Sequence, residues 1–278
     1  MPISVRLQLL ALIGAATLAW LAPESAPSRR PPDVRRGLAL LQHFNDSLPA
    51  NGGNALRCTS CHLDDGRRGS AMSWVGATTR YPKYRARRGG VETIEQRVNE
   101  CVTRSLAGRT LPEDGDDMRD IVAYLDESRR QAPPGRPDTV RLAGDTLRGS
   151  HAYRTHCARC HASDGSGGSA PAVNGAMSFS IGAGMSRQTV LATFLRWNMP
   201  QDQPGILGEQ AAADIAAYVL RRPRPDHPGK ERDWPQGNTP ADLAYVTESA
   251  RRLRVPLPAP RPVLRRRVAP QPRTPDAP

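Results

Sequence analysis

Residues 58–62 read CTSCH, and residues 157–161 read CARCH. Each is a CxxCH pattern, the attachment signature of c-type haem. In this pattern two nearby thiols add to the vinyl groups of a haem, and the adjoining imidazole then lies beneath the iron as its proximal ligand. A four-cysteine zinc site or two short disulfides would not need either histidine. The sequence therefore predicts two covalently bound haems c, held by Cys58, Cys61, His62, Cys157, Cys160 and His161.

The similarity of the two halves extends beyond these motifs. Residues 120–125 read DIVAYL and residues 214–219 read DIAAYV, both with apolar side chains at helical spacing. A shorter helical pattern precedes each motif, at Val34, Leu38 and Leu41 in the first half and more weakly in the second. The repeat predicts an all-α fold of two tandem domains like class I cytochromes c, each covalently binding one haem c.

Segments rich in Pro, Gly and Arg separate the predicted domains. Residues 129–145 have linker composition, and the last thirty residues hold eight Arg and eight Pro. Such a tail cannot bury enough apolar surface to offset its ordering entropy, so we expect it to be disordered. The predicted organisation is a signal peptide over 1–26, cytochrome c domains over 27–139 and 140–248, each folding around its own iron, and a disordered tail over 249–278.

The N-terminus has the features of an export signal. One early charge at Arg6 precedes an apolar run from Leu9 to Ala22, and small and proline residues follow. The alternative is an uncleaved anchor, but the run is shorter than the roughly 20 residues that span a bilayer. We expect a periplasmic protein without a transmembrane segment in the mature chain. The net charge of +12 comes largely from the tail, and export and the lack of interleaved aromatic residues argue against nucleic acid as a partner.

The second half offers a methionine as the distal iron ligand. Met199, followed by Pro200, lies 38 residues after His161 and 15 before residue 214. A methionine before proline at such a point resembles the distal ligand of small class I cytochromes c. The alternatives are Met185, which lies 24 residues after His161, or a core role for both methionines.

The corresponding position in the first half holds the cysteine that lies outside both motifs. Cys101 lies 39 residues after His62 and 19 before residue 120. We therefore expect its sulfur to face the first iron. The alternative is a buried structural cysteine, in which case Met72 or Met118 would be the distal ligand.

A helix is predicted around Cys101. Thr93 and Gln96 can form a capping box at its start. Arg97 and Ser105 lie four residues before and after the cysteine, so a guanidinium and a hydroxyl flank the thiol. The same face carries two apolar residues, Ile94 and Val98. Further arginines near in sequence make the site positive: Arg85, Arg87, Arg88, Arg104 and Arg109.

Taken together, these stretches resemble the dihaem thiosulfate dehydrogenases, also called tetrathionate synthases. The resemblance covers nearly all of residues 35–245. It is carried by RCTSCH from Arg57, SWVGATTRYPKYRAR from Ser73, TIEQRVNECVTRSLAGRTLP from Thr93, SFSIGAGM from Ser178, WNMP from Trp197 and RPDHPGKERDWP from Arg224.

The resemblance implies that the two haems have different roles. The first, with His62 and Cys101 as axial ligands, would be the active site, and the second, with His161 and Met199, would pass electrons out. The remaining substrate-site positions match Arg97, Ser105 and Arg87, or less closely Arg85. Asn198 stands where some members have a lysine, so no lysine-to-methionine ligand switch is expected.

The implied reaction joins two thiosulfates into tetrathionate and passes two electrons to an external acceptor such as another cytochrome. The sequence does not fix its direction, so the enzyme could also reduce tetrathionate. Two other function classes are compatible with the residues. A dihaem electron carrier would not require a thiolate ligand and would fail to oxidise thiosulfate. A haem subunit of a multienzyme sulfur-oxidising system would be active only with its partner.

Overall fold

The same helix pair occurs twice in the computed structural model, which describes residues 30–131, 135, 137–253 and 263–264. Helix α1 (Val34–Gln42) packs on α4 (Asp116–Glu127), and α5 (Thr146–His156) packs on α8 (Glu209–Leu220). Each crossing requires a glycine, because a Cβ atom at Gly37 or Gly149 would lie 2.0 Å from a backbone oxygen of the partner helix. The predicted terminal helices are α4 and α8.

A buried aspartate fixes each pair. The Asp120 carboxylate accepts from the Asp33 backbone amide at 2.8 Å and from the Arg36 guanidinium at 2.6 Å. Asp33 in turn caps α1, so one carboxylate on α4 anchors the start of the neighbouring helix. The second half repeats these bonds, each at 2.7 Å, with Asp214, Asp145 and Arg148.

Two of the other helices, α3 (Ile94–Arg104) and α7 (Gln188–Asn198), are as long as α5, and the remaining elements are shorter. The short helices are α2 (Phe44–Ser47), α6 (Ala158–His161) and α9 (Glu248–Arg252). Strands β1 (Lys83–Arg85) and β2 (Gly90–Glu92) form an antiparallel pair, and β3 (Arg224–Pro225) pairs in parallel with β4 (Val263–Leu264). Within the described residues no helix is long and apolar enough to cross a membrane.

The described parts of the two halves share one hydrophobic core. The described residues from Pro32 onward group as one compact unit, and this core includes Phe44 and Ile121 from the first half and Tyr153 and Ile215 from the second. One residue of the predicted linker joins this core: Val140 is buried, and its amide donates to Thr193 Oγ1 at 3.0 Å, while most of the other described linker residues are exposed. The two halves thus pack on each other, and the expectation that each folds around its own iron stays a prediction.

The predicted disordered tail over 249–278 begins too early. Helix α9 occupies Glu248–Arg252, capped by the Thr247 hydroxyl, which accepts from the Ala250 amide at 3.1 Å. Ser249 and Ala250 are buried. The Arg/Pro composition of the whole segment gives no indication of this burial. Strand β4 over Val263–Leu264 also lies within the predicted tail. The rest of that tail, and the predicted signal peptide over 1–26, lie outside the described residues.

Candidate haem centres and anion pocket

Both motif histidines are oriented in the same way. The Nδ1 atom of His62 lies 2.6 Å from the Met72 carbonyl oxygen, and that of His161 lies 2.7 Å from the Pro171 carbonyl oxygen. Because a carbonyl only accepts hydrogen bonds, Nδ1 carries the proton and Nε2 is left as the metal-binding atom. In both halves the acceptor lies ten residues after the histidine. Each imidazole thus has the tautomer that a proximal haem ligand requires.

A cavity of about 790 Å³ lies beside the first motif. Its walls include Cys58, Cys61 and His62 together with Cys101. Most of the other walls are apolar, and they include Leu41, Phe44, Leu56, Val98, Ile121 and Leu125. Two thiols, an imidazole and a further sulfur around an apolar space are the donor set that a covalently attached haem would use. The residues present therefore fit a haem c in the first half.

Helix α3 brings Cys101 to this cavity. The predicted capping box is confirmed: Thr93 Oγ1 accepts from the Gln96 amide and Gln96 Oε1 accepts from the Thr93 amide, both at 3.3 Å. Ile94, Val98 and Cys101 all line the cavity, as their helical spacing predicts.

A second pocket, of about 250 Å³, shares Cys101 with the haem cavity. Arg97, Ser105 and Arg87 line it with Cys101, so the structure brings together the four residues that the sequence placed at a substrate site. It is strongly basic, with five arginines in its wall: Arg85, Arg87, Arg97, Arg104 and Arg187. Glu100 is the one carboxylate among the lining residues. An anion in this pocket would lie beside the cysteine sulfur.

Three of these arginines are paired with carboxylates outside the pocket wall. Arg104 forms two bonds to Asp233, at 2.7 and 2.9 Å. Arg187 lies 2.8 Å from Asp242, and Arg85 Nε lies 3.3 Å from the buried Glu92. The charges of these three guanidinium groups are thus largely balanced within the protein.

Among the described residues, the other two arginines have no carboxylate outside the pocket wall within 4.0 Å. Arg97 donates to Glu100 at 2.7 Å, and the neighbouring Cys101 raises the pKa of its guanidinium. Arg87 donates to the Gly182 carbonyl at 3.0 Å and stacks on Trp234, with no carboxylate within 4.0 Å among the described residues. Burial lowers its pKa, so its charge would gain most from an anionic ligand.

The predicted methionines lie in different places. Met185, the alternative distal ligand for the second iron, lines the first cavity instead. Met118 is buried in the core. The Met72 backbone carbonyl bonds the His62 ring, and Met72 is 37% exposed. Met199 is the C-cap residue of α7 and packs, half-buried, against the core. Its ligation of the second iron stays a prediction.

Several site residues were missed because they come from the second half. Gly184, Arg187 and Trp234 line the anion pocket, and Met185 and Phe194 line the haem cavity. Long-range packing brings them there, which helical spacing cannot predict. The resemblance was a signal for three of them, because its stretches SFSIGAGM and RPDHPGKERDWP contain Gly184, Met185 and Trp234.

Comparison with known protein families finds a match for each half of the chain. Residues 48–133 match the family described as "SoxA/TsdA, cytochrome c domain", and residues 144–219 match "Cytochrome C oxidase, cbb3-type, subunit III". These matches and the mainly helical structure confirm the predicted fold class of two tandem cytochrome c-like domains.

Whole-chain comparisons agree with this assignment. The chain is 38% identical to a thiosulfate dehydrogenase of Psychrobacter arcticus, over 76% of this chain and 69% of the relative. It is 35% identical to one from Allochromatium vinosum, over 69% of this chain and 78% of the relative. The solved thiosulfate dehydrogenase (TsdBA) from Marichromatium purpuratum superposes with a TM-score of 0.69 at 28% identity. That match covers 76% of this chain and 51% of the solved chain, so the protein spans about half the length of that structure.

Proposed function

Because the chain belongs to the thiosulfate dehydrogenase family, we propose that it oxidises thiosulfate in the basic pocket beside Cys101 and that the product is tetrathionate. The proposal includes two covalently attached haems c, one in each half. The observation that carries it is that one cysteine, Cys101, lines both the basic pocket and the haem cavity.

The pocket suits a small dianion. Charge-assisted hydrogen bonds from Arg97 and Arg87 would hold the first thiosulfate, and the Ser105 hydroxyl would supply a further donor. The same charges offset the repulsion between two thiosulfates that must approach each other. Burial raises the pKa of Glu100, but Arg97 and Arg104 outweigh that effect and hold it below its usual value. Glu100 is therefore ionised and keeps both guanidinium groups in place, at 2.7 and 3.3 Å.

Cys101 would act as a sulfur carrier. Its thiolate forms a disulfide-type bond to the outer sulfur of one thiosulfate, and two electrons leave in that step. The second thiosulfate attacks the same sulfur, which releases tetrathionate and restores the thiolate. Two thiosulfates thus give one tetrathionate and two electrons, and every step can run in reverse. This is nucleophilic catalysis by a cysteine.

Bound haem would supply one-electron acceptance in each half, held by His62 and Cys101 in the first and by His161 and Met199 in the second. A thiolate donor lowers a haem potential, whereas methionine raises it. Electrons would therefore pass from the first half to the second and then to an external acceptor such as another cytochrome.

We also propose export to the periplasm, on the strength of the N-terminal sequence and of the two attachment motifs. Cell fractionation and N-terminal sequencing of the mature protein test this. Recovery of the full-length chain from the cytoplasm would contradict it.

The holoprotein assay with thiosulfate and ferricyanide tests the activity. We expect tetrathionate to appear at half the amount of thiosulfate consumed, and the denatured protein to carry the mass of two haems. A protein that exchanges electrons but leaves thiosulfate intact would be an electron carrier, and activity that requires an added protein would indicate a subunit of a larger system.

A further inference from the structure

A fully buried asparagine connects the two halves next to the predicted second-haem ligand. Asn198 is the last residue of α7 and directly precedes Met199. Its side chain is 0% exposed. The Oδ1 atom accepts from the Ser70 hydroxyl at 2.8 Å, and Nδ2 donates to the Ser70 carbonyl at 2.9 Å and to the Phe194 carbonyl at 3.0 Å. Because carbonyl groups cannot donate, this pattern fixes the orientation of the amide.

Ser70 belongs to the wall of the first cavity. It lies two residues before Met72, whose carbonyl holds the His62 ring at 2.6 Å. Phe194, the other acceptor, also lines that cavity. The loop that orients the first proximal histidine is therefore hydrogen-bonded to the residue before Met199.

We propose that Asn198 is a positioning residue, and that its bonds to Ser70 hold Met199 in the place from which it ligates the second iron. The proposal rests on the proposed role of Met199. Met199 follows the last helical residue, and its own amide donates to the Leu195 carbonyl within α7 at 3.1 Å. Two side chains tie this end of α7 to the first half: Asn198 bonds Ser70, and Trp197 Nε1 donates to the Asp138 carbonyl at 3.1 Å. Of the two, Asn198 is the residue that adjoins Met199. If the Asn198 side chain is removed, its buried hydrogen-bond partners are left unpaired, and this cost favours a shift of the segment that carries Met199.

Asn54 provides a matched control. It is also a buried amide with three hydrogen bonds that joins the halves: Nδ2 donates to the Ser105 and Ser178 carbonyls at 2.9 Å, and Oδ1 accepts from the Leu56 amide at 3.0 Å. None of its partners is a neighbour of Met199 in sequence. Asn54→Ala should lower the thermal stability about as much as Asn198→Ala does, without affecting the second haem.

The test compares Asn198→Ala, Ser70→Ala and Asn54→Ala holoproteins. The readouts are the absorption band of methionine-ligated ferric haem and the midpoint potential of the second haem. We expect Asn198→Ala to lose several times more of the band than Asn54→Ala and to have a lower potential, because methionine ligation raises it. Ser70→Ala removes one of the three bonds and should give a smaller change of the same sign.

The Met199→Gly variant tests whether Met199 ligates the second iron, separately from whether Asn198 positions it. If Met199→Gly keeps the band, the ligand assignment fails and the proposal fails with it. If Met199→Gly abolishes the band while Asn198→Ala changes it no more than Asn54→Ala, Asn198 is only a structural residue. Should Asn198→Ala not fold, an unchanged band and potential in Ser70→Ala would overturn the proposal.

Discussion

The first half places Cys101 beside a pocket walled by five arginines, and the second half places Met199 at the end of a helix. The supporting frame is nearly the same in both. Each half has a glycine at the helix crossing, an aspartate that anchors the neighbouring helix, and a histidine ring held by a carbonyl. In the proposed function, a thiolate can form a bond to sulfur and a thioether cannot, so the first centre carries out the chemistry and the second transfers electrons.

Cys101→Met would make the first half resemble the second, and it should have the largest effect. A sulfur still reaches the iron, but it cannot form a disulfide-type adduct, so thiosulfate oxidation should fall to near background. Both haems should remain, and the potential of the first should rise because the anionic donor is lost. Spectra, potentiometry and the thiosulfate assay measure these changes. A structural cysteine would instead give a modest loss of stability with turnover kept.

Arg97→Ala tests the charge that distinguishes the two halves. We expect a loss of roughly 1.5 to 3 kcal/mol, or about tenfold to 150-fold in kcat/KM, because a hydrogen bond to a charged group is removed. Arg87→Ala should behave similarly, with haem content unchanged in both variants. Arg129→Ala, which removes a surface charge paired with Asp126 at 3.0 Å, is the control and should keep normal kinetics. Equal kinetics in all three would remove both arginines from the site.

Gly37→Ala and Gly149→Ala test the shared frame and should have the smallest effect on turnover of the folded enzyme. Each added methyl group would lie 2.0 Å from a backbone oxygen, so each variant should lose about 1 to 3 kcal/mol of unfolding free energy. Thermal or denaturant unfolding of the holoproteins measures this loss. A clear loss in one variant and none in the other would show that the two helix pairs are not equivalent.

The fold of the two halves and the positions of Cys101 and Met199 in it could be predicted from the sequence. Two CxxCH motifs and two similar terminal helices predict the fold, and counting residues from each motif places Cys101 opposite Met199 in the repeat. The spacing of Thr93 and Gln96 also predicted the capping box at the start of α3. These features depend on residues that are near one another in the chain.

The wall of the site could not be predicted in this way. Arg187 and Trp234 reach the pocket only because the second half packs against α3, and the Ser180 hydroxyl donates to the Arg104 carbonyl at 2.5 Å as part of that packing. The counterions Asp233 and Asp242 lie 129 and 55 residues from the arginines they pair with. Spacing along one helix carries no information about such partners.

The most direct test of the account is the mass of the Cys101 peptide after the holoprotein is incubated with tetrathionate without an electron donor. Attack by the Cys101 thiolate on tetrathionate should release one thiosulfate and leave the other bound to the sulfur, an adduct that dithiothreitol removes. We expect this adduct on Cys101 in the native protein and none in Cys101→Met. An unmodified Cys101 peptide, from a preparation that still turns over thiosulfate, would contradict the sulfur-carrier role.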